Sequence, residues 1–454
     1  MRTSPFVRAR VCVVATLLVA ACSAPERATG PGLTISTARS APTTGPTVTS
    51  TSPSSSARDV TLNVRILGSG FDRGSTAQWA IKGVASSKVV TNSTTYVSSR
   101  ELLANITVAA DADVSFYDVI VTAASSGKPG IGTEAFEVVV EQTDLGTLGG
   151  SDAEATSIND AGQIVGGSVN RASINKPFMW ENGVMLDLGL PAGASWGRAE
   201  GISTSATVVG SAVVGGKFKP WLWTASGGMG LLPLPAGIAT GYAMAINDAG
   251  AVAGSVGEIA TSHAMVWTSG TMTDIHPSPG GASEAWSINS TGDVLGAYHP
   301  AGTDPNDDGI PFVRLASGEV KWLPCPGVRC RGGGLSSSGA VAGTVHFGDG
   351  SKRAYRWSDY GSGANGYIGG SGTTGYGISD GGYVTGIFRF SIWAVDGAAL
   401  WGNDGAMVPL QSESNSIRSS GSAFDVNSSG WVVGFIDKNV KGKYVHRAVR
   451  WRFP

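Results

Sequence analysis

Apolar residues along this chain come in short bursts separated by Gly, Asn, Asp and Ser, and within the bursts they often alternate with polar ones, as in VTLNVRIL and LLANITVA. That two-residue period marks half-buried strands, and the small polar residues between bursts mark the turns that join them. One burst recurs. SINDAGQIVGGS (157–168) returns as AINDAGAVAGS (245–255), SINSTGDVLGA (287–297), GISDGGYVTGI (377–387) and DVNSSGWVVGF (425–435). Each reads as a strand, a polar turn closed by a glycine able to take positive φ, and a second strand.

The apolar landmark before each turn falls at Ile158, Ile202, Ile246, Ile288, Leu335, Ile378 and Val426, a period of about 45 residues. A second landmark follows each hairpin, a strand ending at Trp180, Trp223, Trp267, Arg314, Trp357, Trp401 and Trp451. A further strand-like stretch then comes after a tight turn, from MLDLGL in the first unit to MVPLQ in the sixth. The seventh unit has no room for one, because Trp451 lies almost at Pro454, whereas TDLGTLGG (143–150) stands unpaired before the first unit. Four strands per unit, with the missing one supplied from the opposite end, predict a ring closed by its own chain ends: a seven-bladed β-propeller over residues 143–454. An open solenoid is the alternative, and it would need capping repeats. In the ring, the repeated Trp and Ile fill the space between blades and Gly closes turns, so the repeated positions are expected to be structural.

Residues 59–142 hold about six strand-like runs, enough for a small sandwich. Within them LGSGFDRGS (67–75) resembles the G-x-G-F turn of the IPT/TIG immunoglobulin-like domains, and YDVIVT (117–122) resembles their late strand. The resemblance implies that Gly68 and Gly70 take unusual backbone angles, that Phe71 plugs the core, and that the domain serves as a spacer or an adhesion unit. The units from residue 143 onward resemble the extracellular HAF repeat, most nearly at His263-Ala264-Met265. Most copies carry Lys or Arg in place of that histidine, and the fourth lacks the tryptophan. That family implies an extracellular location rather than a reaction. The expected fold class is therefore all-β, an immunoglobulin-like sandwich followed by a seven-bladed β-propeller.

Composition agrees, with 66 glycines and few helix formers in 454 residues. A balance of 32 basic against 34 acidic residues leaves no field to steer nucleic acid, which is not expected as a partner. Arg2, Arg8 and Arg10 precede an apolar stretch, Val11–Ala21, too short to span a bilayer, so residues 1–21 read as an export signal. Leu18-Val19-Ala20-Ala21-Cys22 resembles the bacterial lipobox, which implies that Cys22 becomes an acylated N-terminus at the outer membrane or cell surface. An ordinary signal peptide followed by a chance cysteine is the alternative. Residues 22–58 are rich in Ser, Thr and Pro and read as a tether with a reach on the order of 30 Å. No later segment is long and apolar enough for a span, so membrane attachment is expected through the lipid alone. Cys325 and Cys330 flank a Pro-Gly turn and are expected to pair as a local staple.

Candidate chemistry is sparse. The links from second to third strand, and from fourth to the next first strand, are long and irregular, so the ligand face is expected on the rim they share. One of these loops, DPNDDG, sets Asp304, Asn306, Asp308 and Gly309 in the D-x-N-x-D-G order of a calcium loop. Phe312 and Leu315 occupy positions where further ligands belong, and a solvated acidic turn has the same composition. The histidines, His263, His276, His299, His346 and His446, are scattered over different repeats, and no nucleophile elbow or paired-histidine motif appears. The basic run Lys438, Lys441, Lys443, Arg447, Arg450 and Arg452 suits either contact with acidic polymer or a solvated strand face. These features point to a non-enzymatic, monomeric, lipid-anchored protein whose propeller presents a binding face to an unknown extracellular protein or glycan. The alternative is a propeller hydrolase or lyase acting on extracellular polysaccharide, which acidic and histidine side chains around the channel would favour. If DPNDDG holds calcium, isothermal titration will give heat at millimolar calcium, the affinity of extracellular calcium modules; no heat removes the metal.

Overall fold

The computed structural model describes residues 44–304, 306–389, 396–410 and 420–453. Cys22 and the export signal lie outside these residues. The first sandwich layer runs in the order Thr47–Ser52, Val60–Ser69, Glu101–Val108 and Val89–Ser98. The second runs Ser55–Ala57, Pro129–Val139, Ser115–Thr122, Thr76–Ile81 and Val84–Ala85. Glu101–Val108 alternates strictly between half-buried and buried residues, and its buried set joins Ile66, Trp79, Tyr117 and Phe136 in one core. Trp79 and Phe136 meet edge to face at 5.9 Å, the favourable geometry for two ring quadrupoles.

Two expectations need correction here. The tether does not run to residue 58, because Thr47–Ser52 pairs antiparallel with Val60–Ser69 and Ser55–Ala57 pairs parallel with Pro129–Val139. Both additions lie at sheet edges, where backbone hydrogen bonds rather than apolar side chains hold a strand, so a Ser/Thr-rich stretch suffices. Gly70 has positive φ (+75), but Gly68 does not; its role is close approach, since a Cβ there would lie 1.9 Å from the Thr47 carbonyl oxygen. Phe71 is buried in the sandwich core.

From Glu141 onward the chain forms four-stranded antiparallel sheets, seven among the described residues. The first comprises Gly149–Ile158, Ile164–Asn170, Asn175–Glu181 and Val184–Asp187, and chain order is sheet order in it and the next five. The seventh differs. Gly421–Val426, Trp431–Val440 and Lys443–Arg452 are completed by Glu141–Asp144, with Gln142 opposite Trp451. The closing strand thus begins two residues before the TDLGTLGG stretch. Apolar clusters fill the seams between successive sheets, and one cluster joins Ile158, Ile164 and Trp180 of the first sheet to Val433 and Ala448 of the seventh. The sheets form a closed, propeller-like ring. Five of the six landmark tryptophans are buried; Trp223 is only half-buried, and Trp221 takes the core position instead.

The asparagine of the repeated turn does more than turn the chain. Asn159, Asn247, Asn289 and Asn427 are each buried, and each accepts a backbone N–H of its own hairpin through Oδ1. Through Nδ2 they donate to the next sheet: Asn159 to the Ser203 carbonyl at 2.9 Å, Asn247 to Asn289 at 3.0 Å, Asn289 to Ser336 at 3.2 Å and Asn427 to Asn159 at 3.0 Å. Ser203, Ser336 and Ser379 keep the bond within the hairpin but lack the crossing amide. Asn247→Ala or Asn427→Ala is therefore expected to cost about 1–3 kcal/mol, because buried carbonyls and N–H groups lose partners, and Asn→Ser should cost less. Urea unfolding midpoints test this, and equal losses for Ala and Ser would show that the crossing and hairpin bonds have been misassigned.

Candidate functional site

The innermost strands of all seven sheets line one cavity of about 780 Å³. Each of these strands carries a register irregularity just before its apolar landmark, as between Ala155 and Ser157 or Ala285 and Ser287. An extra residue in a strand re-aims its side chains. Here Ala155 and Ile158 are both buried although three residues apart, and the two residues between them are half-buried against the cavity. The inserted positions are Thr156, Glu200, Met244, Trp286, Gly333, Tyr376 and Phe424. Two residues earlier stand Glu154, Arg198, Tyr242, Glu284, Arg331, Thr374 and Ser422.

On the side formed by the first, second and seventh sheets, charges are tightly paired. Arg198 lies 3.3 Å from Glu154 and 3.4 Å from Glu200. His446 bridges Glu154 at 2.6 Å and Asp437 at 3.2 Å, with its ring stacked on Phe435 at 4.3 Å. Burial pushes the Glu200 carboxyl above the usual carboxylate range, with Glu154 adding to the effect and Arg198 opposing it. Burial also raises Asp425, although Ser157 Oγ donates to it at 2.8 Å and the Ile158 N–H at 3.0 Å.

The opposite side is aromatic and cationic. Trp286 donates from Nε1 to Glu284 at 3.1 Å, and the Arg331 guanidinium lies 5.1 Å from the centre of the Trp286 ring. Tyr376 continues the aromatic wall and meets Phe424 of the seventh sheet, 5.7 Å away. Asp308, His346 and Lys352 reach the same cavity from the long-loop rim. His346 lies 3.4 Å from Asp308, but burial holds its pKa below the ordinary value, and the cations Arg329, Lys352 and Arg331 add to that fall.

Residues singled out in the sequence fall in different places. Cys325 and Cys330 are joined as a disulfide with Cα atoms 5.6 Å apart. Asp304 accepts from the backbone and side-chain amides of Asn306, both at 2.9 Å, which lowers its pKa, while Asp308 faces His346 and the neighbouring Asp307 pairs with Arg329. Of the three candidate calcium ligands, Asp304 and Asn306 are thus bonded to each other while Asp308 turns to His346, and among the described residues no group of three or more His, Cys, Asp or Glu is placed to hold a metal. His263 and His276 stack at 4.1 Å away from the cavity wall, tied to Asp274 and Ser283. The channel residues escaped sequence reasoning because they occupy the varying positions of the repeat. A signal existed: ATSI, AEGI, AMAI, AWSI, GGGL, GYGI and AFDV each separate a small residue from the landmark by three, where a regular strand would give two or four.

A group whose folded pKa is raised contributes stability that is fully present below its unfolded pKa and lost as pH rises through the folded value. Glu200→Gln removes that loss. Its stability relative to the parent should therefore improve as pH rises above about 4, the unfolded carboxyl's range, measured by urea unfolding; an unchanged difference would mean that Glu200 ionises as an ordinary surface carboxylate.

No family model and no curated protein matches the chain. In shape it resembles an oligogalacturonate lyase from Vibrio parahaemolyticus, at 11% identity and a TM-score of 0.48, over 69% of this chain and 94% of that one. An oligogalacturonate lyase in complex with manganese gives 9% identity and a TM-score of 0.35 over 70% and 98% of the two chains. TolB from Acinetobacter baumannii gives 12% and 0.36 over 54% of this chain, which spans 58% of that one. The likeness is one of chain trace.

Proposed function

We propose that this chain is a lipid-anchored bacterial envelope protein of the HAF-repeat kind, in which an immunoglobulin-like domain carries a seven-bladed propeller that binds a ligand in its channel mouth. The observation that carries the reading is the convergence of non-repeating aromatic and charged side chains from six of the seven inner strands on one cavity. A scaffold alone would need only the small and apolar residues that repeat. Pockets of this volume, walled by aromatic rings with a few placed polar groups, suit small or narrow ligands. The ligand enters from the long-loop rim, where Asp308, His346 and Lys352 edge the same cavity. Acylation of Cys22 supplies the membrane attachment, and the propeller acts as a monomer.

A second reading, an enzyme on extracellular polysaccharide, draws on Glu200, a carboxyl held toward its neutral form by burial and facing the cavity beside the Arg198–Glu154 pair. A carboxyl on a cavity wall whose neutral form is favoured by burial is what a general acid requires. Two experiments separate the readings. The full chain with Cys22→Ser should bind members of a glycan and peptide array without forming product, and Trp286→Ala should weaken that binding while substitutions in the short-turn rim leave it intact. Product formation that Glu200→Gln abolishes would favour the enzyme instead. Metabolic labelling with palmitate should mark the parent and spare Cys22→Ala; equal labelling of both overturns the anchor.

A further inference from the structure

Charge in the channel is unevenly satisfied. The carboxylates on its wall all have partners: Glu200 has Arg198, Glu284 has the Trp286 indole, Asp308 has His346, and Asp425 has Ser157 and backbone N–H groups. The cations do not match them. Among the described residues Arg331 has no carboxylate within ion-pair distance; its guanidinium is exposed to the cavity and held over Trp286. Lys352 likewise has no ion-pair partner there and lies close enough to His346 for the two to repel. A guanidinium stacked on an indole keeps its in-plane N–H donors free for a bidentate acceptor.

The surroundings narrow the ligand further. Gly333 and Gly334 bring the Arg331 strand so close to its neighbour that a Cβ would lie 2.3 Å from the Tyr376 carbonyl oxygen and 2.8 Å from the Ile378 nitrogen. That leaves bare backbone N–H and C=O groups on the wall between Trp286 and Tyr376. Aromatic faces beside polar backbone suit a ring compound with apolar C–H faces and a rim of hydroxyls. Building on the channel-binding reading above, we infer that the site takes an acidic sugar, whose carboxylate is held by Arg331 and Lys352 while its ring stacks against Trp286 and Tyr376.

Three probes test this on the full chain with Cys22→Ser: a mannuronate trisaccharide, the same trisaccharide with its carboxyls reduced to alcohols, and a triglutamate peptide. The acid should bind with a change in tryptophan fluorescence, weaken with added salt, and exceed the reduced sugar by about tenfold or more. Arg331→Gln should remove that margin for the acid while barely affecting the reduced sugar, and Arg331→Lys should restore part of it. Unchanged thermal melting of both variants shows that they fold. Equal affinity for acid and reduced sugar, lost in Trp286→Ala, overturns the inference yet keeps the channel as a binding site. Binding of triglutamate as tightly as the sugar overturns the sugar class, and no binding of the acid at millimolar concentration overturns the inference outright.

Discussion

Everything in the ring depends on its closure. A four-stranded sheet of this type has two apolar faces and can bury both only between neighbours, so the first and last sheets must meet. Bringing ends roughly 300 residues apart together costs about 5 kcal/mol in loop entropy. The seam offsets that cost with several kinds of contact at once. Glu141–Asp144 pairs with Lys443–Arg452. Arg447 donates to Asp144 at 2.9 Å. Arg450 lies 4.6 Å from the Trp180 ring of the first sheet and 4.2 Å from the Trp431 ring of the seventh. The Asn427 amide crosses the same seam at the short-turn rim.

The sandwich bears on this closure. Its last strand, Pro129–Val139, passes through Val140 straight into the closing strand, and Val140 is itself buried with Leu400, Leu410 and Trp451. Arg58 lies 5.7 Å from the Phe453 ring and Val114 packs against the same cluster. The entry to the ring is thus anchored by side chains on both sides of residue 140. None of this was readable from composition, because a single valine between two strands looks like any other linker. The strands at Thr47–Ser52 and Ser55–Ala57 were hidden for a related reason: they are held through backbone groups at sheet edges, and only Thr51 and Ser56 among them are buried.

What repeats and what varies divide the work. Landmarks such as Ile158 and Trp180 recur because every seam presents the same packing problem, and repetition made the strand order of the sheets legible. The channel positions face a cavity where no neighbour dictates shape, so they are free to be Thr, Glu, Met, Trp, Gly, Tyr or Phe. Searching for recurring chemistry passes over such residues by construction. The extra residue in each inner strand hides them further, since it shifts the landmark onto the face of the small residue three positions earlier and breaks the simple alternation by which strands are read. The turn asparagines were legible as turn formers, but their amides act across a seam that no local pattern encodes.

The same division explains why the cavity wall can be so highly charged. An isolated carboxylate at Glu200 or Asp425 would lose most of its hydration. Each offsets that penalty in a different way, Asp425 through Ser157 and two backbone N–H groups, Glu200 through Arg198 and through a shift toward its neutral form. Arg331 meets no such need, because it opens to solvent in the cavity and rests on Trp286. A closed ring therefore holds its acidic groups in internal pairs and leaves its unpaired cations at the point where something from outside can reach them. That asymmetry arises from side chains on five different sheets, and no segment of the chain carries it alone.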